Sequence, residues 1–383
     1  MLRSTLAVTV FAVIACADHA ARTQPVRHLQ IGGTSFQTPR GTPFQWRGIS
    51  SFRLLEMVAH GRRSEAAAFL DWAAARKLTV VRVFSTAKHL FELTPEDGER
   101  ALPELLEMAA ARGLYLEVVA LADTADRPMN EEAHVRAIGA IAVEHWNAIV
   151  EIANEPAHST QNRRLHDARE LKRLAALVPD VVPVAWGSAE KDPAFAGGDY
   201  ATMHFPRSSG SGGWGHVLAL ARGAALISDW HKPVVSDEPI GAAQDLVAGR
   251  RDNDPGRFRA AGLLTRLAGL GATFHYEGGL QSRAPSGREL ECFDAWNESW
   301  ALLPGDIERD GILRAAGEAG AAVRAFSPQA ARAVFERQRG DAAWALAIDV
   351  RGEPALQWGA GWSQTEVRRL DRVWLMTARR PAK

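Results

Sequence analysis

The chain reads as an α/β protein, a (β/α)8 TIM barrel with a small C-terminal β-rich appendage. Three observations predict this. Strand-like and helix-like stretches alternate eight times between Gln45 and Phe326, and the strand-like stretches are continuous apolar runs, as parallel strands covered on both faces require. After Pro328 the pattern changes to short strands separated by Gly, Pro and Asp turns. An open, doubly wound sheet also satisfies the alternation, so closure into a barrel is the expectation and the open sheet its competitor.

Residues 1–20 read as a signal peptide. Arg3 supplies the positive start, Thr5 to Ala15 is an apolar run too short to span a bilayer, and small residues surround Ala15-Cys16-Ala17. Cleavage at Ala17 or Ala20 is one outcome. Val13-Ile14-Ala15-Cys16 also resembles the bacterial lipobox, which would make Cys16 a lipid anchor. Either route exports the chain to the periplasm, the cell envelope or the medium, with no transmembrane helix.

Residues 28–326 form the expected barrel. A hairpin from Leu29-Gln30-Ile31, turning at Pro39-Arg40-Gly41 and returning through Phe44-Gln45-Trp46, leads into a first strand ending Arg47-Gly48-Ile49-Ser50. Ser64 reads as the N-cap of a helix running to Lys77, with Ala67, Leu70, Trp72, Ala74 and Leu78 on its apolar face. Strand two is Val80 to Phe84. A helix from Glu99 to Arg112 stops at Gly113, strand three is Tyr115 to Ala120, and a third helix spans Met129 to Trp146. Strand four, Ala148 to Ala153, ends in Asn154-Glu155-Pro156. Leu165 to Val178 is helical, and strands five to eight are Val181 to Trp186, Thr202 to Phe205, Val234 to Asp237 and Ala272 to Tyr276. Between them lie a Ser/Gly loop from Ser208 to Gly213, a helix from Trp214 to Trp230 and a helix opened by Pro255 and running to Leu270. Residues 329–383 form the appendage, with strands at Ala333-Val334-Phe335, Ala343 to Val350, Ala355 to Trp358 and Val373 to Thr377.

Composition narrows the partners. With 383 residues, 46% of them hydrophobic, the chain can bury a large core. Formal net charge is zero and the charges are scattered, so there is no electrostatic footprint for nucleic acid or an anionic membrane. A neutral molecule is the better partner. Cys16 and Cys292 are the two cysteines, which leaves a processed chain no disulfide framework. No residue pattern calls for a cofactor or a resident metal.

In a barrel of this kind chemistry sits at the C-terminal ends of the strands. The polar and aromatic residues found there are Arg82, Asp123, Asn154, Glu155, Trp186, His204, Asp237, Glu238, His275, Tyr276 and Glu277. Two strings stand out, Asn154-Glu155-Pro156 and Asp237-Glu238-Pro239, each placing a glutamate where an apolar strand stops. The following proline disfavours α conformation at the glutamate and ends the sheet hydrogen bonds there. Two facing carboxyls are what glycosidic cleavage needs, one protonated to assist the leaving oxygen and one ionised to attack. Glu155 has no cation beside it in sequence, whereas Glu238 can meet Arg82 across the barrel, which would hold it charged. Strict strand alternation points Asn154 and Glu155 to opposite faces, so the pair requires a bend at the strand end. Asp237 reads as a hydrogen-bonding or ion-pairing support, and Trp214, after the Gly-rich loop, as a stacking surface for a sugar ring.

Asn-Glu-Pro ending strand four with a second Glu ending strand seven resembles the clan A, family 5-like glycoside hydrolases. The resemblance covers roughly residues 28–326 and extends to Gly41-Thr42-Pro43-Phe44, Trp46-Arg47-Gly48, Val81-Arg82-Val83 and Met203-His204-Phe205-Pro206. It implies retaining hydrolysis of β-glycosidic bonds in an oligo- or polysaccharide by a two-glutamate double displacement. Glu155 would be the acid/base and Glu238 the nucleophile. Asn154 would bind the sugar 2-hydroxyl, with Arg82 and His204 supporting the carboxyls. The family's tryptophan at the end of strand eight is replaced by Phe274-His275-Tyr276-Glu277, so Tyr276, or Trp296 or Trp300 from the next segment, would serve as platform. Trp186 and His275 complete the expected substrate-binding set.

Two other readings use the same residues. A divalent cation held by Glu155, Asp237, Glu238 and Glu277 would make a metal-assisted barrel enzyme, although no His-x-His or His-Glu-x-x-His spacing accompanies them. A non-catalytic carbohydrate-binding barrel is the other, and the presence of both glutamates argues against it.

Overall fold

The structure, a computed structural model, describes residues 28–205, 213–238, 241–242, 253–307 and 311–381. The signal peptide with Cys16, Pro206, most of the Ser/Gly loop and Pro239 lie outside the described residues.

Eight parallel strands form the barrel: β1 Arg47–Ser50, β2 Val80–Phe84, β3 Tyr115–Leu121, β4 Ala148–Ala153, β5 Val184–Gly187, β6 Ala201–Thr202, β7 Val234–Ser236 and β8 Gly271–Tyr276. They hydrogen-bond in the order β5-β4-β3-β2-β1-β8-β7-β6, and a parallel bridge from Ser188 to Thr202 brings the two ends together. The closed sheet is therefore the architecture, and the doubly wound alternative does not apply. Helices between the strands cover the outside. Their starts follow the expected chemistry: Thr94, Asn130 and Asp254 each cap with a side-chain oxygen, and Pro95 and Pro255 sit in the first turn. Ser64 lies inside its helix, Arg63–Ala75, which Arg62 precedes without a side-chain cap.

The barrel interior is layered. Leu29, Phe36, Trp46, Val80, Tyr115, Ile149, Ala185, Tyr200 and Val235 form an apolar plug at the N-terminal ends of the strands. Two residues further along each strand, on the same inward face, the lining turns polar: Arg82, Glu117, Glu151 and Thr202. This switch from plug to charge makes the opposite mouth the place for chemistry. The N-terminal hairpin that helps seal the plug pairs Gln30–Gly32 with Ser35–Gln37 and turns at Gly33, whose φ of 63° suits glycine. Pro39-Arg40-Gly41, read from sequence as the hairpin turn, forms the next turn instead, closed by the Thr38 N–H to the Thr42 carbonyl.

After the barrel comes a five-stranded antiparallel sheet in the order Leu313–Ala315, Ala333–Arg339, Ala342–Ile348, Val373–Arg379, Ser363–Leu370. It begins earlier than the expected boundary, because Leu313–Ala315 pairs with Ala333–Arg339. Arg337 Nη1 donates to the Leu267 carbonyl at 2.7 Å, which ties this sheet to the helix Pro255–Ala268. Among the described residues no helix is long and apolar enough to cross a membrane.

Candidate active site

Arg82 organises the mouth. It points inward from the middle of β2, is wholly buried, and donates from Nε and Nη2 to Glu151 Oε2 at 3.0 and 2.8 Å. Nη1 reaches Glu238 Oε1 at 2.8 Å and Nη2 also reaches Asn154 Oδ1 at 2.9 Å. Asp237 Oδ2 and Glu117 Oε2 stand further off, at 3.5 and 3.7 Å. One guanidinium fork thus binds the strand-four asparagine and the strand-seven glutamate and fixes both against the same wall.

The bend that the Asn154-Glu155 pair requires is present. Glu155 has φ of 43°, in the left-handed region, which costs a non-glycine residue about 1–2 kcal/mol and turns both side chains toward the mouth. Buried Gln161 holds this corner, donating to the carbonyls of Leu121, at 3.1 Å, and Asn154. Gly187, with φ of 144°, lies beneath it; a Cβ there would stand 2.3 Å from the Ala153 carbonyl and 2.6 Å from Pro156 Cγ.

His204 links the two glutamates. Its Nδ1 lies 3.3 Å from Glu155 Oε1 and 3.9 Å from Glu238 Oε2, while Nε2 faces Asp237 Oδ2 at 3.4 Å. Burial works against charge on this ring, but Asp237 and Glu238 outweigh it and hold the imidazolium well above its ordinary range. The sequence offered Glu155 no neighbouring cation; the fold supplies this one. Burial pushes the Glu155 carboxyl up, yet contact with His204 and its charge bring it below the usual value. The side chain of Glu155 is 31% exposed and that of Glu238 8%, so the former is the more open to an incoming group.

Sequence reasoning missed Glu117 and Glu151. Both are wholly buried, in strands that read as plain apolar runs. Burial, then the charge of Glu151, pushes Glu117 well above the ordinary carboxyl range against the pull of Arg82, and the Tyr200 hydroxyl donates to it at 2.9 Å. Burial also dominates at Glu151, opposed by Arg82, and raises it to about 7. A glutamate in an apolar strand was the available signal, because an acidic side chain is almost never fully buried without a partner.

The aromatic residues expected to hold substrate are placed otherwise. Thr273 meets Trp46 inside the barrel, so alternation along β8 turns His275 inward and Phe274 and Tyr276 out toward the helices. Tyr276 is wholly buried and its hydroxyl donates to the Arg283 carbonyl at 2.6 Å, leaving no face for a sugar. Trp214 is likewise wholly buried, with Arg372 from the appendage 5.2 Å over its ring. Trp296 and Trp300 meet edge to face in the outer core, their ring centroids 5.5 Å apart. Trp186 is half-buried on the outer side of β5, its ring against Gly197. His275 does face the interior, its Nδ1 3.2 Å from Ser50 Oγ. Asp123 accepts the N–H groups of Lys88 and His89 at 3.2 and 3.1 Å, a loop clip. Among the described residues the carboxylates proposed for a cation do not gather as a foursome; Glu155 instead clusters with Glu190 and His204.

No protein-family model matches the sequence, and no curated protein does. Solved structures do resemble it. A glycoside hydrolase family 5 protein from Bacteroides vulgatus, 12% identical, matches with a TM-score of 0.64 over 93% of this chain and 94% of its own. A putative glycoside hydrolase from the same organism, 15% identical, matches at 0.56 over 93% and 82%. A β-glucanase from Saccharophagus degradans, solved with cellotetraose and 13% identical, matches at 0.54 over 73% and 94%. At these identities the likeness is one of fold. This chain has the (β/α)8 fold of the family 5-like, clan A glycoside hydrolases.

Proposed function

We propose that the protein hydrolyses β-glycosidic bonds with retention, Glu238 attacking the anomeric carbon and Glu155 serving as acid and then base. The observation that carries this reading is the shared contact at His204 Nδ1, 3.3 Å from one carboxylate and 3.9 Å from the other. Inverting enzymes separate their carboxyls by about 6.5–9.5 Å and retaining ones by about 5–5.5 Å; two oxygens this close to one nitrogen fit the retaining spacing and cannot reach most of the inverting range.

The surroundings of Glu238 suit its role directly, whereas Glu155, held below its usual value by His204, depends on that imidazolium as its source of the proton. Pairing with Arg82 at 2.8 Å favours the anionic form of Glu238, as a nucleophile requires. His204 and Glu155 face one another across a proton that Glu155 passes to the leaving oxygen. In the second half-reaction Glu155 takes a proton from water, whose oxygen attacks the glycosyl-Glu238 ester and frees the carboxylate. Asn154, fixed by Arg82, binds the 2-hydroxyl beside the nucleophile.

A panel of β-glucan, β-mannan, β-xylan and β-galactan, read by reducing-end release and by proton NMR of the first product anomer, tests the reading. Release of a β-anomer is expected. Binding without release would favour the carbohydrate-binding barrel, and an α-anomer would make the enzyme inverting. Export belongs to the same proposal: the mature chain should begin at or shortly after Cys16, and its mass, lipidated or not, reads this directly. A mature chain retaining Met1 would contradict it.

A further inference from the structure

We propose that Glu155, Glu190 and His204 form a binding site for a divalent transition-metal ion of the zinc type, and that its occupancy switches the acid/base off. One ligand atom from each of these residues lies within 4.8 Å of the others. They come from three places in the barrel rim: the end of β4, the segment after β5 and the segment after β6. The imidazole is the second observation that points to a ligand. His204 is 3% exposed; its Nε2 pairs with wholly buried Asp237 at 3.4 Å, and its Nδ1, which makes no well-formed hydrogen bond, is turned to Glu155 at 3.3 Å.

Carboxylate, imidazole and cation in line is the arrangement that orients metal-binding histidines: the buried carboxylate takes one N–H and the other nitrogen is left for the ion. Here Asp237 takes the first part. A nitrogen with two carboxylate oxygens suits zinc, whereas calcium and magnesium prefer oxygen alone. Entry is open, because Glu190 is exposed and the side chain of Glu155 is 31% so. Lys191 and His158 line the same recess; Lys191 opposes a cation there, and His158 Nδ1 is 3.0 Å from Thr160 Oγ1. Against Lys191 stand Glu155, Glu190, Asp237 and Glu238. On binding, His204 gives its Nδ1 proton to solvent, and Glu155 binds the cation in place of the proton it would deliver to a leaving oxygen.

The inhibitory part rests on the glycosidase reading; the binding part does not. The full chain, stripped of metal, is titrated with zinc against a chromophoric chelator, alongside Glu190→Gln and His204→Asn. One zinc per chain is expected, weakened about tenfold or more by either substitution and not displaced by calcium or magnesium. Because Glu190 is exposed, its substitution leaves the fold in place, and a melting curve checks this. With zinc bound, β-glycan cleavage stops and a chelator restores it. Zinc held equally by wild type and Glu190→Gln, or not at all, overturns the site, and cleavage that continues in the zinc-loaded chain overturns the switch. A chain that binds zinc through Glu190 yet cleaves no glycan keeps the site and loses the glycosidase reading.

Discussion

Arg82 and Glu238 meet at 2.8 Å across the barrel, the guanidinium wholly buried and the carboxylate nearly so. The arginine also carries Glu151 and Asn154, so one side chain from β2 sets the geometry of strands four and seven. Its removal would leave Glu151, Asp237 and Glu238 without their shared counter-charge. Arg82→Met should lower folding stability by about 3–5 kcal/mol and abolish turnover. Urea unfolding checks the first; a loss below about 1 kcal/mol would mean the charges are compensated in some other way.

Gly187 supports the Asn154-Glu155 corner by having no side chain. Gly187→Ala places a methyl group into the Ala153 carbonyl and Pro156, which should displace Glu155. A displacement of about 1 Å can cost about a hundredfold in rate, so kcat should fall far more than substrate binding weakens. Steady-state kinetics separates the two, and an unchanged kcat would show that the corner tolerates the methyl group.

His204 holds the Glu155 carboxyl below its ordinary value against burial, which acts in the opposite direction. Acid catalysis needs that proton, so kcat/KM falls as pH rises through the Glu155 titration. In His204→Asn the cation is gone and burial dominates, so the alkaline limb should move to higher pH. A pH–rate profile of both proteins decides it; a limb that stays put, or moves down, contradicts the assignment.

Glu151 sets a stability slope. Its folded value is raised from 4.5 to about 7, chiefly by burial and against the pull of Arg82. A group raised in the folded state contributes stability below its unfolded value and loses it as pH rises through the folded one, here between about 4.5 and about 7. Glutamine does not titrate. The melting temperature of Glu151→Gln minus that of wild type should therefore increase with pH across this window, and a pH-independent difference would contradict it.

The barrel was legible because its strands are apolar runs whose periodicity differs from that of the amphipathic helices between them. The strand Ser363–Leu370 escaped notice for the converse reason. It is an almost wholly exposed edge strand bearing Glu366, Arg368 and Arg369, with no buried face to leave a pattern. In the site, the strand-end motifs placed Asn154, Glu155, Glu238, Arg82 and His204 around one mouth. The aromatic assignments failed where alternation was not followed to the end of the strand: on β8 it turns Tyr276 outward. Glu190 carried no signal, since a charged residue in a loop looks the same whether or not the fold brings it to a glutamate and a histidine.

Azide rescue tests the central claim, the division of roles between Glu238 and Glu155, most directly. On the aryl β-glycoside that the substrate panel selects, Glu238→Ala should be inactive and recover with azide to give the α-glycosyl azide, because azide attacks from the vacated nucleophile side. Glu155→Ala should still cleave substrates with good leaving groups and give the β-azide. If both variants are equally dead on every substrate and azide restores neither, the two-glutamate mechanism is wrong.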